Sequence, residues 1–291
     1  MKALLILSFA GILSSSALAA GLDTAKIESL TGLKGQLNEK EGVFKISYPR
    51  ADIAATAEGV KLTPPMGLTA WVAFKPAGDH VMAMGDLVLL EDQVNPVMSA
   101  ALDNGLEVTA LHNHFFGDSP KVMFMHVGGM GEQDKLAAAF GAVFAKLKAT
   151  SGGRGEIHQA VIDPVTSSLS AAPLEAALGA KSSLAGGVLK FTFDRSSAMS
   201  GESIGGAMGV NTWAAFAGSD KKAVVDGDFA MRDTEVQPVL KALRKAGIDV
   251  VAIHNHMIGE TPRIVFLHYW GVGPAVELAK GVKSALDTQH Q

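Results

Sequence analysis

The chain has 291 residues, 48% hydrophobic and 19% charged, enough for one large core or two ordinary ones and too apolar for bulk disorder. A formal charge of -4 without a basic cluster argues against nucleic acid or an anionic membrane as the main partner. With no cysteine, the chain can form no disulfide, offers no thiolate to a metal and carries no lipid on an N-terminal cysteine, so stability must come from its core.

Residues 1–20 read as a secretory signal peptide. Met1-Lys2 precedes an apolar run from Ala3 to Leu13 and then small residues to Ala20, so cleavage is expected after Ala19 or Ala20. The mature chain, with a charge of about -5 once Lys2 is removed, is expected in the periplasm or secreted. No later stretch reaches the roughly 18 consecutive apolar residues of a membrane helix, so no membrane anchor is expected.

An internal repeat sets the architecture. Gly67 to Gly131 aligns without a gap to Gly209 to Gly273 at a constant shift of 142 residues, with about a third of positions identical. The alignment pairs Trp71 with Trp213, Gly85-Asp86 with Gly227-Asp228, Pro96 with Pro238 and Gly105 with Gly247. Upstream, Tyr48-Pro-Arg50 matches Phe193-Asp-Arg195 with small gaps between. The expected organisation is a signal peptide over 1–20, repeat 1 over 21–150, a linker over 151–165 and repeat 2 over 166–291.

Within a repeat, Asp23 caps a short helix running to Leu30. Phe44, Ile46 and Tyr48 alternate with Lys45 and Ser47, the period of a half-buried strand, and two further strands follow over 68–74 and 81–90. Helical spacing over 94–102 stops at Asn104-Gly105. Strands over 107–116 and 121–127 flank a turn through Gly117-Asp-Ser-Pro120, and a helix over 135–148 closes the unit. The predicted class is α+β, two homologous repeats, each an antiparallel sheet with helices in the order α-β-β-β-α-β-β-α.

The candidate site lies in the strand pair. Ala110-Leu-His-Asn-His-Phe-Phe-Gly-Asp-Ser-Pro-Lys-Val-Met-Phe-Met-His126 recurs as Ala252-Ile-His-Asn-His-Met-Ile-Gly-Glu-Thr-Pro-Arg-Ile-Val-Phe-Leu-His268, which uses six of the nine histidines. Residues two apart on a strand share a face, which groups Val108, Ala110, His112 and His114 and sends Asn113 the other way. A hairpin symmetric about Pro120 would set His114 opposite His126. Three imidazoles would then converge in each repeat: His112, His114 and His126, and His254, His256 and His268.

Three histidines and an open position make a ligand set for a divalent transition metal; zinc is the first expectation, with copper and iron open. The alternative is structural histidines held by backbone or carboxylate partners. Asp86 and Asp228, in the Gly-Asp pairs, and Asp118 and Glu260, in the turns, could orient an imidazole from behind or add a ligand. The last two also fit plain turn capping. Met82, Met84, Met123 and Met125 read as core because the second copy lacks them. Arg50 and Arg195 read as structural ion pairs. The chain shows no nucleophile elbow, since its one Gly-x-Ser-x-Gly pattern, Gly201 to Gly205, lies in a glycine-rich stretch with no helix pattern after it, and it has no Walker loop or dinucleotide fingerprint.

The signature of Leu or Ile before His-Asn-His, then Gly, Asp or Glu, x, Pro, Lys or Arg and a strand ending in His, at 111–126 and 253–268, resembles the LppY/LpqO family of exported bacterial proteins. That resemblance implies export and a tandem domain of unknown function, with no activity to transfer; some members are lipoproteins, whereas this chain lacks the cysteine for it. Three functions compete. They are an exported metal-binding protein with a three-histidine cluster per repeat, a zinc-dependent hydrolase or lyase using metal-bound hydroxide, and an envelope interaction module. The expected partner is a metal ion or small molecule; no catalytic residue is assigned.

Overall fold

Helix α1 (Thr24–Thr31) starts where the Asp23 carboxylate accepts a hydrogen bond from the Lys26 amide, and it stops at Gly32, whose φ of 70° suits glycine. This computed structural model describes residues 21–151 and 160–289; the expected signal peptide and residues 152–159 of the linker lie outside the described residues. Four strands of the main sheet follow α1: β1 (Gly35–Asn38), β2 (Val43–Pro49), β3 (Thr69–Ala77) and β4 (His80–Leu90). Helix α2 (Glu91–Asp103), strands β5 (Glu107–Asn113) and β6 (Val122–Gly131) and helix α3 (Gln133–Ala149) complete repeat 1. Repeat 2 repeats the order as α4 (Ala171–Leu178), β7 (Ser183–Ala185), β8 (Val188–Asp194), β9 (Asn211–Gly218), β10 (Ala223–Arg232), α5 (Val236–Lys245), β11 (Asp249–His254), β12 (Ile264–Gly273) and α6 (Ala275–Leu286).

The α+β class is as expected, with one strand more per repeat in the main sheet and a few two- or three-residue strands outside it. β1 and β7 are short edge strands, and Gly35-Gln-Leu-Asn38 carries no alternating apolar pattern by which to announce itself.

The two repeats share one sheet of 12 strands, all antiparallel, in the order β1-β2-β3-β4-β6-β5-β11-β12-β10-β9-β8-β7. Strand β5 would be the bare edge of repeat 1 and β11 that of repeat 2. They pair with each other through Leu111 and Ile253, positions equivalent under the 142-residue shift, so a pseudo-twofold axis passes between them.

One face of the sheet packs on the helices. Phe44, Ile46, Val72, Phe74, Leu87, Leu111 and Val127 bury there against Leu136, Phe140 and Val143 of α3. The opposite face carries the histidines together with exposed Met84, Met130, Trp270 and Val272. Met125 is core as expected, but Met84 is 59% exposed on the open face, which overturns the core reading for that residue.

A bulge at Thr109 and another at Val251 change the expected faces. The register of β5 on β6 shifts between Val108 and Ala110, and that of β11 on β12 between Val250 and Ala252. Val108 therefore points into the core at 0% exposure rather than sharing the face of Ala110 and His112.

The bulges leave backbone groups near the axis, and each repeat satisfies those of the other. Asn95 Oδ1 accepts from the Val250 amide at 2.8 Å and its Nδ2 donates to the Val250 carbonyl at 3.3 Å. Gln237, the equivalent of Asn95, does the same for Val108 at 3.0 and 2.8 Å. Truncating both, Asn95→Ala with Gln237→Ala, strands two buried peptide groups at a cost of about 1–3 kcal/mol each. Denaturant unfolding should show it, and a combined loss below about 1 kcal/mol would mean the clamps are dispensable.

Candidate metal centre

Each cluster is assembled from three neighbouring strands. His112 lies on β5 and His114 just past its end at Asn113; His126 lies on β6 and Asp86 on β4. The register differs from the expected one by four residues: His126 sits opposite Ala110, and His112 opposite Phe124. The hairpin is thus centred at 118 rather than Pro120, and His114 is not opposite His126. An even displacement preserves parity, so all three histidines still share the open face. Repeat 2 is the same, with His268 opposite Ala252 and His254 opposite Phe266.

The turn itself explains the displacement. Asp118 and Ser119 leave the hairpin to pair with Thr56 and Ala57, so the connection is a wide loop rather than a tight turn. Asp118 accepts from the Val122 amide at 2.7 Å and Glu260 from the Ile264 amide at 3.0 Å, matching bonds that close the two loops. Both carboxylates are engaged as turn caps.

Asp86 and Asp228, by contrast, stand directly opposite His126 and His268 on the open face. The preceding glycines make this placement possible. A Cβ on Gly227 would meet the Tyr269 ring at 2.2 Å and the Trp213 carbonyl at 2.4 Å; one on Gly85 would meet the Trp71 carbonyl at 2.7 Å.

The imidazoles form a row with His112 or His254 in the middle. His112 lies 5.2 Å from His114 and 5.1 Å from His126, ring centre to ring centre, with planes 20° and 28° apart. In repeat 2, His254 lies 5.2 Å from His256 and 4.8 Å from His268. His112 Nε2 and His126 Nε2 approach to 3.0 Å. Two nitrogens so placed, each about 2.0–2.1 Å from a metal, would subtend roughly 90–100° there, a normal angle between neighbouring ligands. In repeat 2 the convergent atoms come from Asp228, His254 and His256, all within 4.8 Å of one another. Asp228 Oδ2 lies 3.6 Å from His256 Nε2, too far for a hydrogen bond.

Each cluster also holds a buried polar atom without a hydrogen-bond partner among the described residues, Asp86 Oδ1 in the first and His254 Nε2 in the second. Burial raises Asp86 above the usual carboxylate range, opposed by His126, His114 and His112. Burial likewise pushes Asp228 up to about 6, opposed by His268 and the Leu267 amide. Burial and then a neighbouring imidazole lower His114, His254 and His256, so these rings are neutral and able to ligate near pH 7.

Two supports were not anticipated. His114 stacks face to face on Phe124 at 3.4 Å and His256 on Phe266 at 3.4 Å, which fixes the outer ring of each row. The signal was present: both phenylalanines precede the third histidine by two residues, so parity puts them on its face. Beyond each aspartate, Trp71 and Trp213 sit under the ammonium groups of Lys45 and Lys190 at 4.3 and 4.5 Å. The arginines are structural, as expected. Arg50 is fully buried between Asp52, Gln93 and the Val88 carbonyl, and Arg195 pairs with Glu235 at 2.6 Å.

Residues 25–146 and 172–288 each match the family described as Domain of Unknown Function (DUF1259). The chain belongs to that family, in tandem. No curated protein matches it. The crystal structure of a trimeric bacterial microcompartment shell protein, PduB, aligns over 87% of this chain and 89% of that one at 11% identity, and its TM-score of 0.22 supports no inference. Among the described residues, no helix is long and apolar enough to cross a membrane.

Gly227→Ala should lower stability by about 1–3 kcal/mol or more through overpacking against Tyr269. Thermal unfolding checks this, and a neutral result would show that β10 and β12 can move apart.

Proposed function

We propose that the protein is an exported metal-binding protein in which each repeat holds one divalent transition metal through its histidines. Asp86 or Asp228 adds an oxygen ligand or orients His126 or His268. The observation that carries this reading is the orphaned buried atom in each cluster, Asp86 Oδ1 and His254 Nε2, set among stacked imidazoles. A buried polar atom without a partner is costly, and a cation coordinated there removes the cost.

The donor set of imidazoles and one carboxylate suits zinc first and copper or iron next. Asp118 and Glu260 contribute only by holding the loops that carry His114 and His256. The signal-like residues 1–20 and the resemblance to the LppY/LpqO family support export, with a small molecule or metal ion as partner. A zinc-dependent hydrolase or lyase is the second reading. It is favoured by the exposure of His114 and His256, which leaves a bound metal reachable by water. Zinc-bound water ionises near neutral pH and would supply the nucleophile.

Elemental analysis of the purified protein should find two zinc ions per chain. The variants His112→Ala/His126→Ala and His254→Ala/His268→Ala should each keep one, with unchanged circular dichroism. A wild-type chain that retains no metal and binds none with a Kd below about 1 µM sinks the reading and leaves the histidines structural.

A further inference from the structure

We propose that the two clusters are halves of a single paired-metal basin astride the pseudo-twofold axis, and that one small dicarboxylate bridges the two metals across it. The inference rests on the metal-binding reading above and concerns what the pairing of β5 with β11 adds to it.

Leu111 faces Ile253 at the axis. The antiparallel register then sets Ala110 beside His254 and Ala252 beside His112. Ala110 in turn faces His126, and His126 faces Asp86; Ala252 faces His268, and His268 faces Asp228. Two adjacent rows therefore cross the centre of the sheet on its open face. One reads Asp86, His126, Ala110, His254, and the other Asp228, His268, Ala252, His112. Each row draws histidines from both repeats, with an alanine between them.

The spacing follows from the sheet. Neighbouring strands lie about 4.8 Å apart, so His126 and His254, two strands apart, are separated by about 10 Å at the backbone. His112 and His254 are diagonal neighbours, about 7–8 Å apart. Where the aspartates orient His126 and His268 without ligating, a metal between β5 and β6 and another between β11 and β12 would lie about 10 Å from one another, too far to share a single oxygen atom. They are close enough for the two ends of one short dianion. The floor between them is the half-buried pair Ala110 and Ala252, the smallest side chains on that stretch of either strand, and any larger residue there would fill the space above the axis. Two carboxylates on one backbone bind such a pair with the advantage of high effective concentration over two separate monocarboxylates.

The test uses the full chain loaded with copper(II) and read by electron paramagnetic resonance, then loaded with zinc and titrated with glutarate or acetate in a calorimeter. The expected results are a dipolar-coupled copper pair at about 10 Å, and one glutarate per chain bound at least tenfold more tightly than acetate. Ala110→Leu/Ala252→Leu should keep both metals and lose the glutarate advantage. His112→Ala/His126→Ala should keep one copper without coupling. Two uncoupled coppers, or glutarate binding no more tightly than acetate, overturn the paired basin while leaving two metal sites intact. A chain that takes up no copper or zinc fails earlier, at the metal-binding reading itself.

Discussion

An unpaired sheet edge is the constraint on which the rest depends. In a single repeat, β5 would present a row of free amides and carbonyls, since β6 pairs on one side of it only. Duplication removes that edge by setting β11 against it. The contact is short, a single bridge at Leu111 and Ile253, because the bulges at Thr109 and Val251 bend both strands away from each other. Asn95 and Gln237 reach across from the opposite repeats to satisfy what the bulges expose. The same pairing fixes which way the histidines face. Leu111 and Ile253 enter the helix-covered core, so Ala110, His112, Ala252 and His254 must all lie on the other side.

The electrostatics of that open face run against ordinary economy. Asp228 is 3% exposed yet pairs with no cation within hydrogen-bonding distance, and burial pushes it up to about 6. A carboxyl raised in the folded state weakens folding as pH climbs above the ordinary carboxylate value, and the penalty is complete above about 6. Among the neighbouring imidazoles His268 opposes the rise without cancelling it, and burial lowers His254 and His256 and holds them neutral. A chain that keeps this arrangement in both halves carries a standing cost which a bound dication would offset.

Much of this was legible in the sequence, and the failures share a cause. The repeat, the helices, the strand alternation and the common face of His112, His114 and His126 all follow from local periodicity, and the structure has them. The hairpin centre did not follow, because Asp118 and Ser119 pair with Thr56 and Ala57, about 60 residues upstream. The bulge at Thr109 was equally hidden, since the Val108 backbone beside it is met by the side chain of Gln237, on the other repeat. Strand β1 lacks a pattern of its own and is recruited by β2. What was missed is set by pairing with distant segments; what survived did so because face depends on parity, and a register error of four residues leaves parity intact.

The internal duplication also separates what supports the fold from what the open face requires. The buried arginine is kept in both copies but satisfied differently. Arg50 is met by Asp52 and the neutral Gln93, whereas Arg195 is met by Glu235 at the position of Gln93, in a loop shortened by three residues that has no equivalent of Asp52. Any carboxylate in reach serves, as expected of a structural ion pair. Around the histidines there is no such exchange, although further along the open face Met84, Gly128 and Met130 become Asp226, Trp270 and Val272. Histidine rows, opposed aspartates, the phenylalanine under the outer ring, the lysine over the tryptophan and the alanine beside the axis recur position for position. Core packing alone would tolerate swaps there, as it does where Met125 is replaced by Leu267. A constraint on side-chain chemistry itself, acting on both clusters, accounts for the difference.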